Sequence, residues 1–152
     1  MFAIILFAGW LGFSLFQISF YRAAVVETLL LNSLIINVGV GGLYGFIGHA
    51  FVADRVAKFI GWPKGNPFQF EVAVTYLAIS ALGFVSIWLK GDFWIATIIA
   101  YSIFLLGAAY GHTREMMERK NFSQGNAGPA FFIDIMNPLI LIALGIIYYL
   151  KY

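Results

Sequence analysis

From Phe2 to Phe20 the chain carries no charged side chain. Such a run is about long enough, at ~1.5 Å per residue, to cross a ~30 Å hydrocarbon core as a helix. Four more runs follow at 23–53, 69–89, 93–112 and 130–150, separated by short segments that hold most of the charge. With 62% hydrophobic and 11% charged residues in 152, the chain is too apolar for a soluble globule of its size. The spacing predicts an all-α integral membrane protein, a bundle of five transmembrane helices forming one membrane domain over residues 1–152.

Each boundary has a local cause. A cleaved leader is the rival reading of residues 2–20, but no basic segment precedes the run and 13–20 offers no small-residue cleavage site. The second run exceeds a span, which fits a tilted helix. Gly41, Gly45 and His49 fall on one stripe of it, where small residues let a neighbouring helix approach. Ala50 to Ile60 alternates apolar and charged residues with helical rhythm and reads as an amphipathic surface segment, stopped by Gly61-Trp62-Pro63. Trp62, Trp88 and Trp94 suit an interfacial belt. The charged stretch 113–120 continues the fourth helix beyond the bilayer, and Asn137-Pro138 places a polar, kinking pair in the fifth.

The only two histidines each follow a glycine, Gly48-His49 and Gly111-His112, at an offset of 63 residues. The same offset lays Gly65 on Gly128, Phe68 on Phe131 and Glu71 on Asp134. Read as a repeat, it divides the chain into a first helix and two hairpins, 23–89 and 93–150, related in parallel. Read as coincidence, it joins a few common residues in two similar hairpins. Either way, helices two and four end in histidine on the side where helices three and five begin with Glu71 and Asp134. All four groups belong to one end of the bundle.

Arg55, Lys58, Lys64, Arg114, Arg119 and Lys120 lie at that end, against Arg22, Lys90 and Lys151 at the other. The bias predicts a cell-membrane protein with its amino terminus inside and its carboxyl terminus outside. Asn121-Phe122-Ser123 matches the glycosylation pattern, but on a cytoplasmic loop it is a chance match.

Gly48-His49, Ile60-Gly61-Trp62-Pro63, Pro67-Phe68-Gln69-Phe70-Glu71 and Gly125-Asn126-Ala127-Gly128 resemble segments of an uncharacterised family of small prokaryotic multi-pass membrane proteins. The resemblance runs from about Asn37 to Ile146. It implies a multi-helix membrane protein and supplies no chemistry.

Imidazole and carboxylate together suit a divalent metal, so His49, Glu71, His112 and Asp134 are the candidate metal ligands. The bland alternative is that hydrogen-bonded histidines hold the loops. A b-type haem between His49 and His112 is the other cofactor reading, against which the nearness of both to the polar end counts. Without cysteine there is no disulfide, iron–sulfur cluster or cysteine-based zinc site. A net charge of +2 spread along the chain offers nucleic acid no basic block.

No catalytic motif is present, so an enzyme is not expected. The function expected is binding of an ion or small ligand at the cytoplasmic end, in transport or sensing. The alternatives are a structural or accessory subunit of a larger membrane complex and a haem redox protein. Besides the lipid bilayer, a homo-oligomer or such a complex is the partner left open.

Overall fold

The computed structural model describes residues 2–151, whose regular structure is entirely helical. In chain order the helices are α1 (Phe2–Tyr21), α2 (Val25–Phe51), α3 (Ala53–Ile60), α4 (Phe68–Val85), α5 (Asp92–Arg119), α6 (Gln124–Ala127) and α7 (Pro129–Lys151). Among the described residues five helices are long and apolar enough to cross a membrane: α1, α2, α4, α5 and the stretch Gln124–Lys151 that contains α7. The expected all-α bundle is therefore the fold. Helix α5 runs on past His112 through the charged stretch to Arg119, and α4 stops at Val85, a few residues short of the expected 89.

Helix α2 is not uniform. Its middle, Leu34–Val40, is π-helical, with the Gly41 N–H bonded back to the Ile36 carbonyl. Nothing in the residue pattern signals this widening. In the same stretch Gly39 meets α4 at Gly83, so closely that a Cβ on Gly83 would collide with the Gly39 backbone and lie 2.7 Å from the Leu34 carbonyl oxygen. Ser80 of α4 donates its hydroxyl to the Gly39 carbonyl at 2.7 Å. Interhelical hydrogen bonds and small residues of this kind hold helices together where lipid removes the hydrophobic drive.

The glycine stripe also differs from the expected one. Gly42 and Gly45 face α4, the first against Ser80 and the Tyr76 carbonyl and the second against the Tyr76 ring, while Gly41 abuts Leu6 of α1. His49 stays on the protein-facing side.

α2 packs chiefly on α4 and α5 chiefly on α7, while α1 lies against α2. The shared core gathers Leu30, Leu34 and Val38 of α2, Ile98, Tyr101 and Leu105 of α5, and Leu141 of α7, with Trp94 fully buried. The Trp94 indole donates to the Ser86 carbonyl at 2.8 Å, so its one polar atom is satisfied. On the α1 side Trp10 donates to the Leu29 carbonyl, and Asn32 donates to Ser14 and Gln17. At the far end from the histidines Lys90 donates to Glu27 at 2.8 Å, which holds the lysine amine above its usual range. That pair is exposed and contributes at most about 1 kcal/mol.

The α2–α4 crossing yields a first expectation. Gly83→Ala forces the two backbones apart and should cost about 1–3 kcal/mol. Unfolding in detergent measures it; a variant as stable as the parent would show that the helices do not approach this closely.

Candidate functional site

At the histidine end two loops lock into each other. Gly61 closes α3 with φ +74°, a left-handed conformation that a side chain would strain, and a Cβ there would also meet the Asn121 amide. Across from it, Asn121 donates to the Ile60 and Gly61 carbonyls at 2.9 and 3.3 Å, and the Ser123 hydroxyl donates to Ile60 at 2.8 Å. The Asn and Ser of the apparent glycosylation pattern are thus structural residues. Gly125 lies against the Phe59 backbone, where a Cβ would sit 2.6 Å from the carbonyl oxygen.

Asn126 is fully buried at the centre of this lock. Its Oδ1 accepts from the Trp62 indole N–H at 3.1 Å and pairs with His112 Nδ1 at 2.7 Å. Its Nδ2 donates to the His112 carbonyl at 3.1 Å and the Asn121 carbonyl at 2.9 Å. Every hydrogen-bonding position of the amide is used, and the orientation is forced. An indole N–H only donates, so oxygen must face Trp62; two carbonyls only accept, so nitrogen must face them. His112 Nδ1 therefore carries its hydrogen and donates it to Asn126.

With Nδ1 protonated, Nε2 is the free nitrogen of neutral His112. It faces Asp134 Oδ2 of α7 at 3.8 Å, and only 12% and 15% of the two side chains are exposed. That separation is too long for a direct hydrogen bond. It is close to the roughly 3.4 Å at which a tetrahedral ion bonded at 2.0–2.2 Å would hold a nitrogen and an oxygen. Trp62 covers the outer side, its ring 5.5 Å from the imidazole. Between α5 and α7, the Tyr101 hydroxyl accepts from Asn137 Nδ2 at 3.3 Å.

The four residues expected as ligands divide. His112 and Asp134 face each other. His49 has Gln69 Oε1 3.3 Å from Nδ1 and stacks on Tyr76, ring centroids 5.7 Å apart and planes 17° off parallel. Glu71 is exposed on the first turn of α4, where its carbonyl accepts from Thr75. Among the described residues no group of three or more His, Asp and Glu side chains is gathered as a metal shell would need. Asn126 and Trp62 are the site residues that sequence reasoning missed. Asn126 lies in a glycine-rich segment that reads as a breaker, and Trp62 beside a proline reads as a membrane-interface anchor.

Fold and site together define a polytopic helical membrane protein with an oriented histidine facing a carboxylate at one end of its bundle. The chain belongs to the family of unknown function DUF6790, whose model matches residues 1–151 and so takes in α1 as well as the motif-bearing helices. No curated protein and no solved structure matches it.

Asn126→Ala strands the Trp62 and His112 donors and two carbonyls in one step. The expected loss is at least about 2 kcal/mol of stability, since each buried unpaired polar group costs about 1–3 kcal/mol. A thermal melt in detergent that Asn126→Ala leaves in place would refute the lock.

Proposed function

We propose that the protein binds a cation at the histidine end of its bundle, with His112 Nε2 and Asp134 as the two protein groups that hold it, in the service of transport or sensing. The carrying observation is the Asn126 contact to Nδ1. A histidine that ligates a metal almost always donates its other ring N–H to a fixed acceptor, which sets the tautomer and aims the lone pair. Asn126 supplies that acceptor, and the aimed lone pair meets a carboxylate.

Imidazole with carboxylate is a donor set for zinc, manganese, iron or nickel. Two protein groups leave the remaining positions to water or to a small ligand with donor atoms of its own. Such an incomplete shell suits a site that takes up and releases its cation.

Isothermal titration of the purified protein with Zn²⁺, Mn²⁺ and Ni²⁺ tests this reading. At least one should bind at one equivalent. His112→Ala and Asp134→Asn should each weaken binding beyond the 10–100-fold typical of a lost supporting residue. Trp62→Phe, which removes the donor that orients Asn126, should weaken it by about tenfold, and Glu71→Gln should leave it unchanged. Binding that survives both His112→Ala and Asp134→Asn ends the proposal.

The side of the membrane follows from charge. Arg55, Lys58, Lys64, Arg114, Arg119 and Lys120 belong to the histidine end, so we place it in the cytoplasm, with the amino terminus inside and the carboxyl terminus outside. In intact cells an impermeant thiol reagent should label Lys90→Cys and spare Lys64→Cys; the reverse pattern turns the protein over.

A further inference from the structure

Two buried polar atoms in the bundle have no hydrogen-bonding partner among the described residues: Asn37 Oδ1 on the π-helical part of α2 and Ser102 Oγ on α5. Their residues are 5% and 6% exposed. Both lie at the same depth. Asn37 is ten residues from Glu27 along α2 and Ser102 ten from Asp92 along α5, and both helices start at the end where Lys90 pairs with Glu27. At ~1.5 Å per residue that is roughly 15 Å in, the middle of a ~30 Å core.

A buried polar atom without a partner marks a place for bound water or an ion, and in hydrocarbon the cost of leaving it unpaired is greater than in a soluble protein. The polar atoms here are a neutral amide oxygen, which accepts, and a hydroxyl, so the site lacks the charge a bare cation would want. The widened helix adds to the case, because π-helical turns recur at functional positions.

Polar groups continue from this level in both directions. Toward the Lys90 end, Asn37 Nδ2 donates to Ser33 Oγ at 3.0 Å; next comes buried Asn32, which lines an open cleft of about 270 Å³ with Gln17, Glu27 and Thr28. Toward the histidine end, the next group is the Tyr101 hydroxyl bonded to Asn137. Polar groups thus stand on both sides of the unpartnered pair, which occupies the middle.

We propose that Asn37 and Ser102 bind water at mid-membrane and that this hydrated waist carries protons through the bundle. A proton arriving on one water forms an O–H bond to the next oxygen as that oxygen releases its own proton onward. The Ser102 hydroxyl relays in the same way, and each passage leaves every group as it was. This function goes beyond cation binding and does not rest on it, since neither Asn37 nor Ser102 belongs to the His112–Asp134 pair.

The test uses the full chain in phosphatidylcholine–phosphatidylglycerol vesicles containing trapped pyranine, with proton entry driven by a valinomycin-clamped potassium gradient. Acidification should be at least about tenfold faster than in empty vesicles, and Ser102→Ala, Asn37→Leu or both should slow it by about tenfold, the effect of one lost hydrogen bond on a barrier. Ser102→Ala removes a single oxygen and keeps the test valid if Asn37→Leu fails to fold. A parent rate equal to that of empty vesicles overturns the proposal, as does a parent rate retained by both variants. Neither result touches the metal titration, so the two proposals fail separately.

Discussion

Hydrocarbon offers no hydrogen bonds, so every polar group the chain takes into the membrane must find its partner inside the chain. The arrangement of this bundle follows from that constraint. The Trp94 indole reaches the Ser86 carbonyl, Trp10 reaches Leu29, and Ser80 reaches across to Gly39. The last bond is short because Gly39 and Gly83 remove the side chains that would hold α2 and α4 apart. Close approach and polar satisfaction are one feature at that crossing, and it sets how α2 lies along α4. Where the rule is left incomplete, at Asn37 and Ser102, the exception falls in the π-helical middle of α2 and at the matching depth of α5.

The same demand builds the site. Asn126 uses its whole amide to tie Trp62, Asn121 and His112 together, and in doing so decides which imidazole nitrogen holds hydrogen. The resulting free nitrogen points at Asp134 because α7 packs along α5. Loop chemistry thus sets the tautomer of His112. A loop that merely capped the helix ends would not need a buried amide with every position filled.

Sequence alone showed the spans, because charge-free runs of membrane length allow few other readings. It also placed both histidines at one end with Glu71 and Asp134, from the alternation of helix direction, without showing that only His112 and Asp134 would face each other. The partners of His112 on the loop were not legible. Asn126 and Trp62 have the residue types of a turn and an interface belt, and their meeting depends on α3 and α6 touching across a long sequence separation. Asn121 and Ser123 matched a modification pattern, while their bonds to Ile60 and Gly61 are a tertiary fact. The π-helical turns of α2 are equally silent in sequence. They also stand just before the glycines, where Gly42 and Gly45 meet α4 and Gly41 meets α1.

The offset of 63 brings out a difference between the hairpins. In the second, histidine faces the acid of its own hairpin; in the first, His49 turns to Gln69 and Tyr76 while Glu71 remains exposed. X-ray absorption at the zinc edge of protein loaded with one equivalent of Zn²⁺ addresses the proposed cation site most directly. A shell with a single imidazole nitrogen at about 2.0–2.1 Å and oxygen at about 2.0–2.2 Å is the expected result, and it should vanish in His112→Ala. An oxygen-only shell, or an imidazole signal that persists in His112→Ala, would contradict the assignment of His112 as the ligand that Asn126 holds in place.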